Sequence, residues 1–489
     1  MLIELGRESY RDKVYACWLG KNIGGTLGTP YEGQKHAHAL SYYDPIPEKA
    51  AANDDLDLQL VWLQLLEDRG IDLSLQDLAE YWMKYLPAYP WNEYGYCMRN
   101  LERGLRPPIS GCFENYWVDD MGAPIRSEIW ACIAPGDPQR AAAMAWKDAT
   151  LDHAGGEGVY GEMFWAAVES AAFVLDDPIE LIRIGLRMIP ISCGISRVIR
   201  EAIWCWQNNV KWGRARQRIQ THFGIDMPCN AINNHGFTVL GWLYGTTFGE
   251  RLCAAVNCGY DTDCTGATLG ALLGIIGGTA GIPEEWRRPI GEEIVLYPYT
   301  GNIDAPKTIS ELTNRTVRIA EKLIGYRSDA VRFGENTNLP EHFRSLLYRN
   351  ELARQVLTQD VHSAVSVLGD LEVCFGYGGD PVIYPGIESV IEVSVTKGEK
   401  AEDCTIELIL PFQWRSRPIS SSIGRSVWGI TAEQVNDTNT ISVLVKQAGE
   451  TREGRFVILG PGEAKGAPAG GGVDKCPKCW ARLNSCICK

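Results

Sequence analysis

Apolar residues recur at every third or fourth position through roughly the first 330 residues, between short loops rich in Gly and Pro. This spacing is typical of amphipathic helices. It occurs in "VYACWLGKNIGGTLG", "DLQLVWLQLLEDRG", "LQDLAEYWMKYL", "PQRAAAMAWKDATL", "GEMFWAAVESAAFVL", "PIELIRIGLRMI" and "ISRVIREAIWCWQNNVKWGRARQRI". The pattern therefore predicts an all-α domain over residues 1–330.

The pattern changes after Arg327. A mixed connecting segment, 331–365, leads into stretches such as "GIESVIEVSVTK" and "NTISVLVKQAGETREGRFVIL", in which apolar and polar residues alternate and Val, Ile and Thr are frequent. Alternation of this kind predicts strands, so we expect a β-sandwich-like domain over residues 366–460. The Gly-rich segment 461–475 predicts a flexible linker, and a Cys-rich tail, 476–489, ends the sequence.

Length and charge limit the class of protein. A chain of 489 residues is longer than a single core usually supports, which agrees with several domains. The formal net charge of -14 disfavours nucleic acid as a partner, because phosphate binding is driven by Lys and Arg. No apolar run is long enough to span a membrane, and the start "MLIELGRESYRDK" lacks the apolar core of a signal peptide. The sequence therefore predicts a soluble, cytoplasmic protein without a membrane partner.

Two segments place acidic residues at the start of a predicted helix. Asp54 and Asp55 lie in "NDDLDLQL", and Asp261 and Asp263 lie in "YDTDCTGATLGALLG". Acidic side chains at a helix start can cap it and are favoured by the helix dipole. Alternatively, the two starts converge on a magnesium or calcium site, since these ions prefer oxygen ligands. The residues alone favour both interpretations equally.

The second acidic segment is followed by a stripe of glycines. Gly266, Gly270 and Gly274 recur at four-residue spacing, so one face of the predicted helix carries almost no side chains. Glycine lowers helix stability, which makes a purely local role a poor explanation. We expect another backbone to approach this face closely.

Five segments, in order, carry a resemblance to a known family. They are "GKNIGGTLGTPYEG", "NDDLDLQL", "MGAPIRSEIWACIAPGDPQRAAAMAWKDATLDHAGGEGVYGEMFWAAV", "NNHGFTVLGWLYG" and "AAVNCGYDTDCTGATLGALLG". Over about residues 10–330 the chain resembles the ADP-ribosylglycohydrolase family, which includes dinitrogenase reductase-activating glycohydrolase. The resemblance implies a compact all-α fold with two magnesium ions. It also implies hydrolysis of the glycosidic bond between ADP-ribose and a protein side chain or small-molecule acceptor. The expected partner is therefore an ADP-ribosylated protein or a small ADP-ribose conjugate.

The resemblance also assigns roles to individual residues. Cys264 stands where many members have Thr, and a thiol is a poor magnesium ligand, so Thr265 or a water would replace it. Glu32 is the candidate for proton transfer, and Asp55 is the second candidate. The implied metal ligands are Asn53, Asp54, Asp55, Asp261, Asp263 and Thr265.

A third group of residues is expected to bind the substrate. It surrounds the Gly-rich turn in "LDHAGGEGVYGE" and comprises His153, Gly155, Gly156, Glu157 and Tyr160. A structural hydrogen-bonding role is the alternative for His153. Arg126 either grips a diphosphate or forms a buried ion pair with Glu128 or a neighbour.

The tail supplies a separate candidate metal site at Cys476, Cys479, Cys486 and Cys488. A C-x-x-C followed by C-x-C suits a tetrahedral four-thiolate zinc site, and the alternative is a tail of reduced thiols.

Two other functions remain open beside ADP-ribosyl hydrolysis. One is hydrolysis of another ribosyl or glycosyl conjugate at the same dinuclear site, because Lys21 and Cys264 depart from the family pattern. The other is a non-catalytic protein that binds ADP-ribose-type ligands.

Overall fold

A computed structural model describes residues 2–87, 89, 91–398 and 400–461, which form two compact units. The first unit contains the chain up to Leu73, Asp119–Ala149 and Gly156–Thr358. The second contains Ser74–Val118, Thr150–Gly155 and the described chain from Gln359. The units are therefore interleaved in sequence, whereas the predicted boundary was a single one near residue 330.

The first unit is helical, as the periodicity predicted. It also has a short parallel pair of strands, β1 (Ile3–Gly6) and β2 (Val331–Gly334). Its helices, numbered along the whole chain, are α1 (Arg7–Gly28), α2 (Asp54–Arg69), α6 (Ser127–Ile133), α7 (Pro138–His153, whose last turn belongs to the second unit), α8 (Glu157–Ala172), α9 (Pro178–Arg187), α10 (Gly194–Gln207), α11 (Trp212–Phe223), α12 (Ala231–Tyr244), α13 (Phe248–Val256), α14 (Thr262–Gly277), α15 (Glu284–Arg287), α16 (Ile309–Arg327), α17 (Phe343–Leu347) and α18 (Glu351–Val356).

One predicted helical run is interrupted. The segment from Ile195 to Ile219 divides into α10 and α11, because Asn209 adopts a left-handed φ of 53° after the last turn of α10. Asn tolerates this conformation better than most residues and often follows a helix end. The apolar periodicity continues across the break, so it did not indicate where the helix ends.

Helices α1 and α14 pack with their backbones almost in contact. A Cβ atom added to Gly270 would lie 2.8 Å from the carbonyl carbon of Gly20, and one added to Gly24 would overlap the carbonyl group of Gly266. The close backbone approach predicted from the glycine stripe is therefore confirmed. This contact fixes the start of α14, with its two acids, against the end of α1.

The second unit is a β-sandwich, as predicted, with three helices beside its strands. The helices are α3 (Leu75–Tyr85), α4 (Asn92–Glu102) and α5 (Ile109–Cys112). The strands are β3 (Ser363–Leu368), β4 (Leu371–Gly376), β5 (Ser389–Lys397), β6 (Lys400–Ala401), β7 (Thr405–Ile409), β8 (Arg415–Ser422), β9 (Arg425–Thr431), β10 (Thr438–Gln447) and β11 (Glu450–Leu459).

The strands form two antiparallel sheets that share one core. The smaller sheet has the order β11-β10-β7, and the larger has the order β3-β4-β5-β9-β8, with β6 paired to β5. Side chains from both sheets fill the core, where the rings of Phe375 and Phe456 stack 4.9 Å apart. Ile109 and Phe113 of the helical segment join the same core, which explains why residues 74–118 belong to this unit.

Two further expectations concern membrane-spanning helices and the Cys-rich tail. None of the helices in the described ranges combines the length and hydropathy that a membrane-spanning segment requires. The tail with Cys476, Cys479, Cys486 and Cys488, and the predicted linker beyond Pro461, lie outside the described residues. The zinc site in the tail therefore stays a prediction.

Candidate functional site

The start of α2 is capped by an amide and not by an acid. Asn53 is the N-cap residue, and its Oδ1 accepts a hydrogen bond from the backbone N–H of Asp55 at 2.9 Å. This bond satisfies one of the exposed N–H groups of the first turn. The buried carboxylate of Asp55 is therefore not needed as a cap.

The acids at the start of α14 are not caps either. Asp261 is the N-cap residue, yet its side chain makes no capping hydrogen bond within the described structure. Asp261 and Asp263 are 1% and 6% exposed, and Oδ1 of each finds no hydrogen-bond partner among the described residues. Buried carboxylate oxygens without a partner are costly, so a missing positive partner is the simplest explanation.

The two helix starts meet in the folded chain. Asp55, Asp263 and Cys264 each offer one donor atom, and these three atoms lie within 4.8 Å of one another. Cys264 Sγ donates to Asp55 Oδ1 at 3.4 Å, although the two residues are 209 positions apart in sequence. Glu32, Cys229 and Asp261 form a second group with the same spacing. We call these six residues the acid–thiol cluster.

Burial and mutual repulsion raise the pKa values of the acids of this region. Burial first, and then the charge of Asp263, raises the pKa of Asp55 to about 7, although Lys21 opposes the shift. Burial and Glu32 raise the pKa of Asp263 to about 7. The pKa values of Asp54 and Asp261 are raised well above the ordinary value by burial and by neighbouring carboxylates. A divalent cation would relieve this repulsion, so the donor set and its unpartnered oxygens fit such an ion.

Lys21, already noted as a departure from the family pattern, supplies a buried positive charge beside Asp55. Its buried Nζ lies 2.8 Å from Glu128 Oε1, 3.0 Å from the carbonyl oxygen of Ile125 and 3.6 Å from Asp55 Oδ2. Gln59 donates to the other oxygen of Glu128 at 2.8 Å. Burial alone would lower the pKa of Lys21, but Glu128 and Asp55 raise it. This network fixes the orientation of the Asp55 carboxylate through Lys21.

Glu32 lies at the exposed edge of the cluster. It follows a short 3-10 helix, Thr29–Tyr31, and its loop is tied to the segment before Asp261. The backbone N–H of Gly33 donates to Tyr260 O, and the N–H of Tyr260 donates to Gln34 O, both at 2.8 Å. Although the residue as a whole is exposed, partial burial of its carboxyl group and the charge of Asp55 raise the pKa of Glu32.

Tyr297 is a further residue of the site that sequence reasoning missed. Asp57, in the first turn of α2, accepts hydrogen bonds from the backbone N–H of Tyr297 at 2.8 Å and from Thr300 Oγ1 at 2.7 Å. Burial, followed by the charges of Asp54 and other acids of the site, raises the pKa of Tyr297. The charges of the acids therefore act on the Tyr297 hydroxyl. Asp57, the third acid of "NDDLD", thus holds the loop that contains Tyr297 and Thr300. No local sequence pattern indicates this contact.

Two predicted metal ligands make local hydrogen bonds in the structure. Asn53 uses its amide oxygen as the helix cap, and its Nδ2 lies 3.4 Å from Asp263 Oδ2. Thr265 Oγ1 donates to the carbonyl oxygen of Thr262 at 3.2 Å, within the first turn of α14. The ligand role of both residues stays a prediction.

The predicted substrate-binding residues are divided between the two units. His153 is buried in the second unit, where its Nδ1 lies 3.0 Å from Asp152 Oδ1. Glu157, in the first unit, accepts the backbone N–H groups of Gly194 and Ile195 at 2.6 and 2.9 Å and so caps α10. These contacts are structural.

The Gly-rich turn itself has the geometry that glycine permits. Gly155 has a φ of 79°, a left-handed conformation that favours glycine, and Gly156 is the N-cap residue of α8. Tyr160 follows in the first turns of α8 and is half-buried. A role in substrate binding stays a prediction for all five residues.

Arg126 forms the buried ion pair that was one of its two interpretations. Its Nη2 lies 2.8 Å from Asp148 Oδ1, and both side chains are fully buried. A second acid, Glu162, lies 3.9 Å from the same Nη2. Glu128 pairs with Lys21 instead. The buried pair gives Arg126 a structural role in the first unit.

The sequence model of one family, ADP-ribosylglycohydrolase, matches residues 6–325. The chain belongs to the ADP-ribosylglycohydrolase family. Membership supports a glycosyl hydrolase that acts on ADP-ribose conjugates. A solved structure titled "ADP-ribosylglycohydrolase-related protein complex" is similar at 18% identity and a TM-score of 0.42, over 64% of this chain and 97% of that one. No curated protein matches the sequence.

Proposed function

We propose that this protein is a magnesium-dependent hydrolase that cleaves the N- or O-glycosidic bond between ADP-ribose and a protein side chain or a small-molecule acceptor. The observation that carries this proposal is the convergence of two acidic helix starts, where the buried Oδ1 atoms of Asp261 and Asp263 have no hydrogen-bond partner among the described residues. Family membership supplies the bond that is cleaved.

The residues that would hold the ions are Asp54, Asp55, Asp261 and Asp263. Carboxylate oxygens are the ligands that magnesium prefers, and four acids with raised pKa values provide the charge that two such ions need. Bound divalent cations would orient the ribose hydroxyls and activate a water.

Glu32 is the group placed to move a proton at the scissile bond. Its raised pKa keeps a proton available nearer to neutral pH, where a general acid can donate it to the leaving atom of the acceptor. It also lies at the exposed edge, where a conjugate with a protein acceptor has access. Asp55 is the weaker candidate, because it is buried between Lys21 and Cys264.

The carboxylates of the cluster also suit the transition state. Cleavage of a ribosyl bond develops positive charge on the sugar, as in other glycoside hydrolyses. Fixed negative groups in a site with little water stabilise such charge more than they stabilise the neutral ground state. Asp263 and Asp261 are held by a helix that is packed backbone to backbone on α1, so their position is rigid.

A Glu32→Gln variant tests the proposed role. The amide keeps the shape of the side chain but cannot exchange a proton, so we expect kcat to fall by about a hundredfold or more. Binding of free ADP-ribose should not change. Glu8→Gln, at an exposed position in the first turn of α1, is the matched control and should leave both unchanged.

One result would contradict the role of Glu32, and another would contradict the proposed activity. Full turnover by Glu32→Gln would move proton transfer to Asp55 or to water. If the wild type releases nothing from ADP-ribosylated protein or from small ADP-ribose conjugates, the activity proposed for this site is wrong. Other ribosyl and glycosyl conjugates would then be the substrates to assay.

A further inference from the structure

Each half of the acid–thiol cluster contains a sulfur atom. Cys264 lies with Asp55 and Asp263, and all three residues are buried. Cys229 lies with Glu32 and Asp261 at the same spacing. Sulfur therefore occurs twice among groups that otherwise consist of carboxylates, which is not the donor set that magnesium selects.

Two neutral oxygen donors near the cluster make hydrogen bonds to the backbone. The Asn53 amide oxygen accepts the backbone N–H of Asp55 at 2.9 Å, and the Thr265 hydroxyl donates to Thr262 O at 3.2 Å. Cys264, which is adjacent to Thr265, instead donates its S–H to Asp55. The neutral side chain that faces the acids from the start of α14 is thus a thiol.

The distances in this group suit a small tetrahedral ion. Sulfur and oxygen ligands of one zinc ion, at about 2.3 and 2.0 Å from the metal, lie about 3.5 Å from each other. The separation between Cys264 Sγ and Asp55 Oδ1 is 3.4 Å. Asp263 completes the group, and its Oδ1 has no hydrogen-bond partner in the described structure. One thiolate and two carboxylates leave the fourth position to water or substrate.

We propose that Asp55, Asp263 and Cys264 bind a thiophilic divalent ion, such as zinc or cobalt(II), more tightly than magnesium. The inference rests on the proposed function in one respect, the use of the cluster as a metal site. Binding converts the Cys264 thiol to a metal-bound thiolate, and the proton passes to solvent. Magnesium then supports hydrolysis only when thiophilic ions are withheld, so zinc competes with it at the same acids.

Absorption spectroscopy of the cobalt-loaded protein tests this assignment without using activity. Full-length protein is stripped with a chelator and titrated with cobalt(II). The wild type should develop a sulfur-to-cobalt charge-transfer band in the near ultraviolet, and Cys264→Ser should lose the part of the band that this site contributes. Cys253→Ser, in α13 and equally buried, is the matched control and should retain it.

The difference between spectra isolates the site from the rest of the chain. The four cysteines of the tail are present in all three proteins, so any cobalt that they bind cancels. Competition supplies a second readout: Cys264→Ser should weaken zinc binding by at least about tenfold, the scale on which changes around a metal alter affinity, without weakening magnesium binding. If circular dichroism shows that Cys264→Ser is misfolded, Cys264→Ala replaces it.

The outcomes separate this inference from the proposed function. Identical cobalt spectra for the wild type and a folded Cys264 variant, with unchanged zinc affinity, would overturn the inference and leave ADP-ribosyl hydrolysis untouched. Loss of the band in the Cys264 variant alone supports the inference, whatever the substrate of the enzyme. Absence of ADP-ribose release in a separate assay would reject the proposed function and not the metal preference.

Discussion

Gly270→Ala should loosen the contact between α14 and α1. The added Cβ would lie 2.8 Å from the carbonyl carbon of Gly20, and closer to its oxygen, whereas ordinary contacts begin at 3.4 Å. The obstacle is backbone, which cannot rotate away as a flexible side chain does. The helices must therefore separate by more than roughly half an ångström, a strain that tightly packed interiors resist.

The expected destabilisation follows from two opposing contributions. Ala is favoured over Gly in a helix interior by about 1 kcal/mol. Overpacking a core costs typically about 1–3 kcal/mol, and a clash with backbone belongs at or beyond the upper end of that range. The free energy of unfolding should fall by about 2 kcal/mol. Metal affinity should fall as well, because Asp263 lies two turns before Gly270 on the same helix.

Gly277→Ala is the matched control. It lies at the exposed end of α14, where no described atom comes within 4 Å of an added Cβ, so the same substitution should be neutral or stabilising by up to about 1 kcal/mol. Urea unfolding followed by tryptophan fluorescence compares the two variants with the wild type. If Gly270→Ala proves as stable as Gly277→Ala, the close packing of α1 and α14 is not what the structure indicates.

Three other perturbations test the electrostatics and the tail. Lys21→Met should destabilise the protein by about 3–5 kcal/mol in thermal or urea unfolding, because it leaves Glu128 and Asp55 buried without their cation. Adding Glu128→Gln to the same chain should restore part of the lost stability. No recovery in the double variant would contradict the pairing of Lys21 with Glu128. The pKa of Asp55 and of Asp263 is raised from 3.8 to about 7 in the metal-free fold, so the folded state binds more protons than the unfolded state between these values. The melting temperature of chelator-treated protein should therefore fall as pH rises from 4 through 7, because these groups lose their protons in the folded state. Saturating magnesium should remove this fall. A melting temperature with the same pH dependence with and without magnesium would contradict this. Deletion of the residues after Val473 should lower the zinc content of the purified protein by the share that the tail binds, and unchanged zinc content would assign that metal elsewhere.

Local pattern was sufficient for the classes of structure and for the positions of the acids. The three- and four-residue spacing predicted the helical unit, the alternation predicted the sandwich, and the glycine stripe predicted a close backbone contact. These features are repeated over many residues, so one exception does not hide them. Asp261 and Asp263 were candidates for a different reason: a helix start needs only one capping side chain, and here two carboxylates occur together.

Features that depend on distant residues could not be predicted from local pattern, and a shared site for Asp55 and Asp263 was implied only by the family resemblance. The convergence of Asp55 with Cys264 depends on how two helices separated by most of the first unit pack, and spacing contains no such information. Residues 74–118 show helical periodicity, yet Phe113 belongs to the core of the strands. Lys21 was visible as a departure from the family pattern, but its pairing with Glu128 depends on a buried contact between α1 and α6.

In the proposed function, the converged acids of α2 and α14 act with divalent cations to release ADP-ribose. The most direct test is the time course of ADP-ribose release from an ADP-ribosylated protein and from small conjugates. Wild type and Asp263→Asn are compared after removal of metal and again after addition of magnesium. We expect release by the wild type only with the cation, and none by Asp263→Asn, because the amide removes a charged ligand from the site. Equal release with and without divalent cations, or full activity in Asp263→Asn, would contradict it.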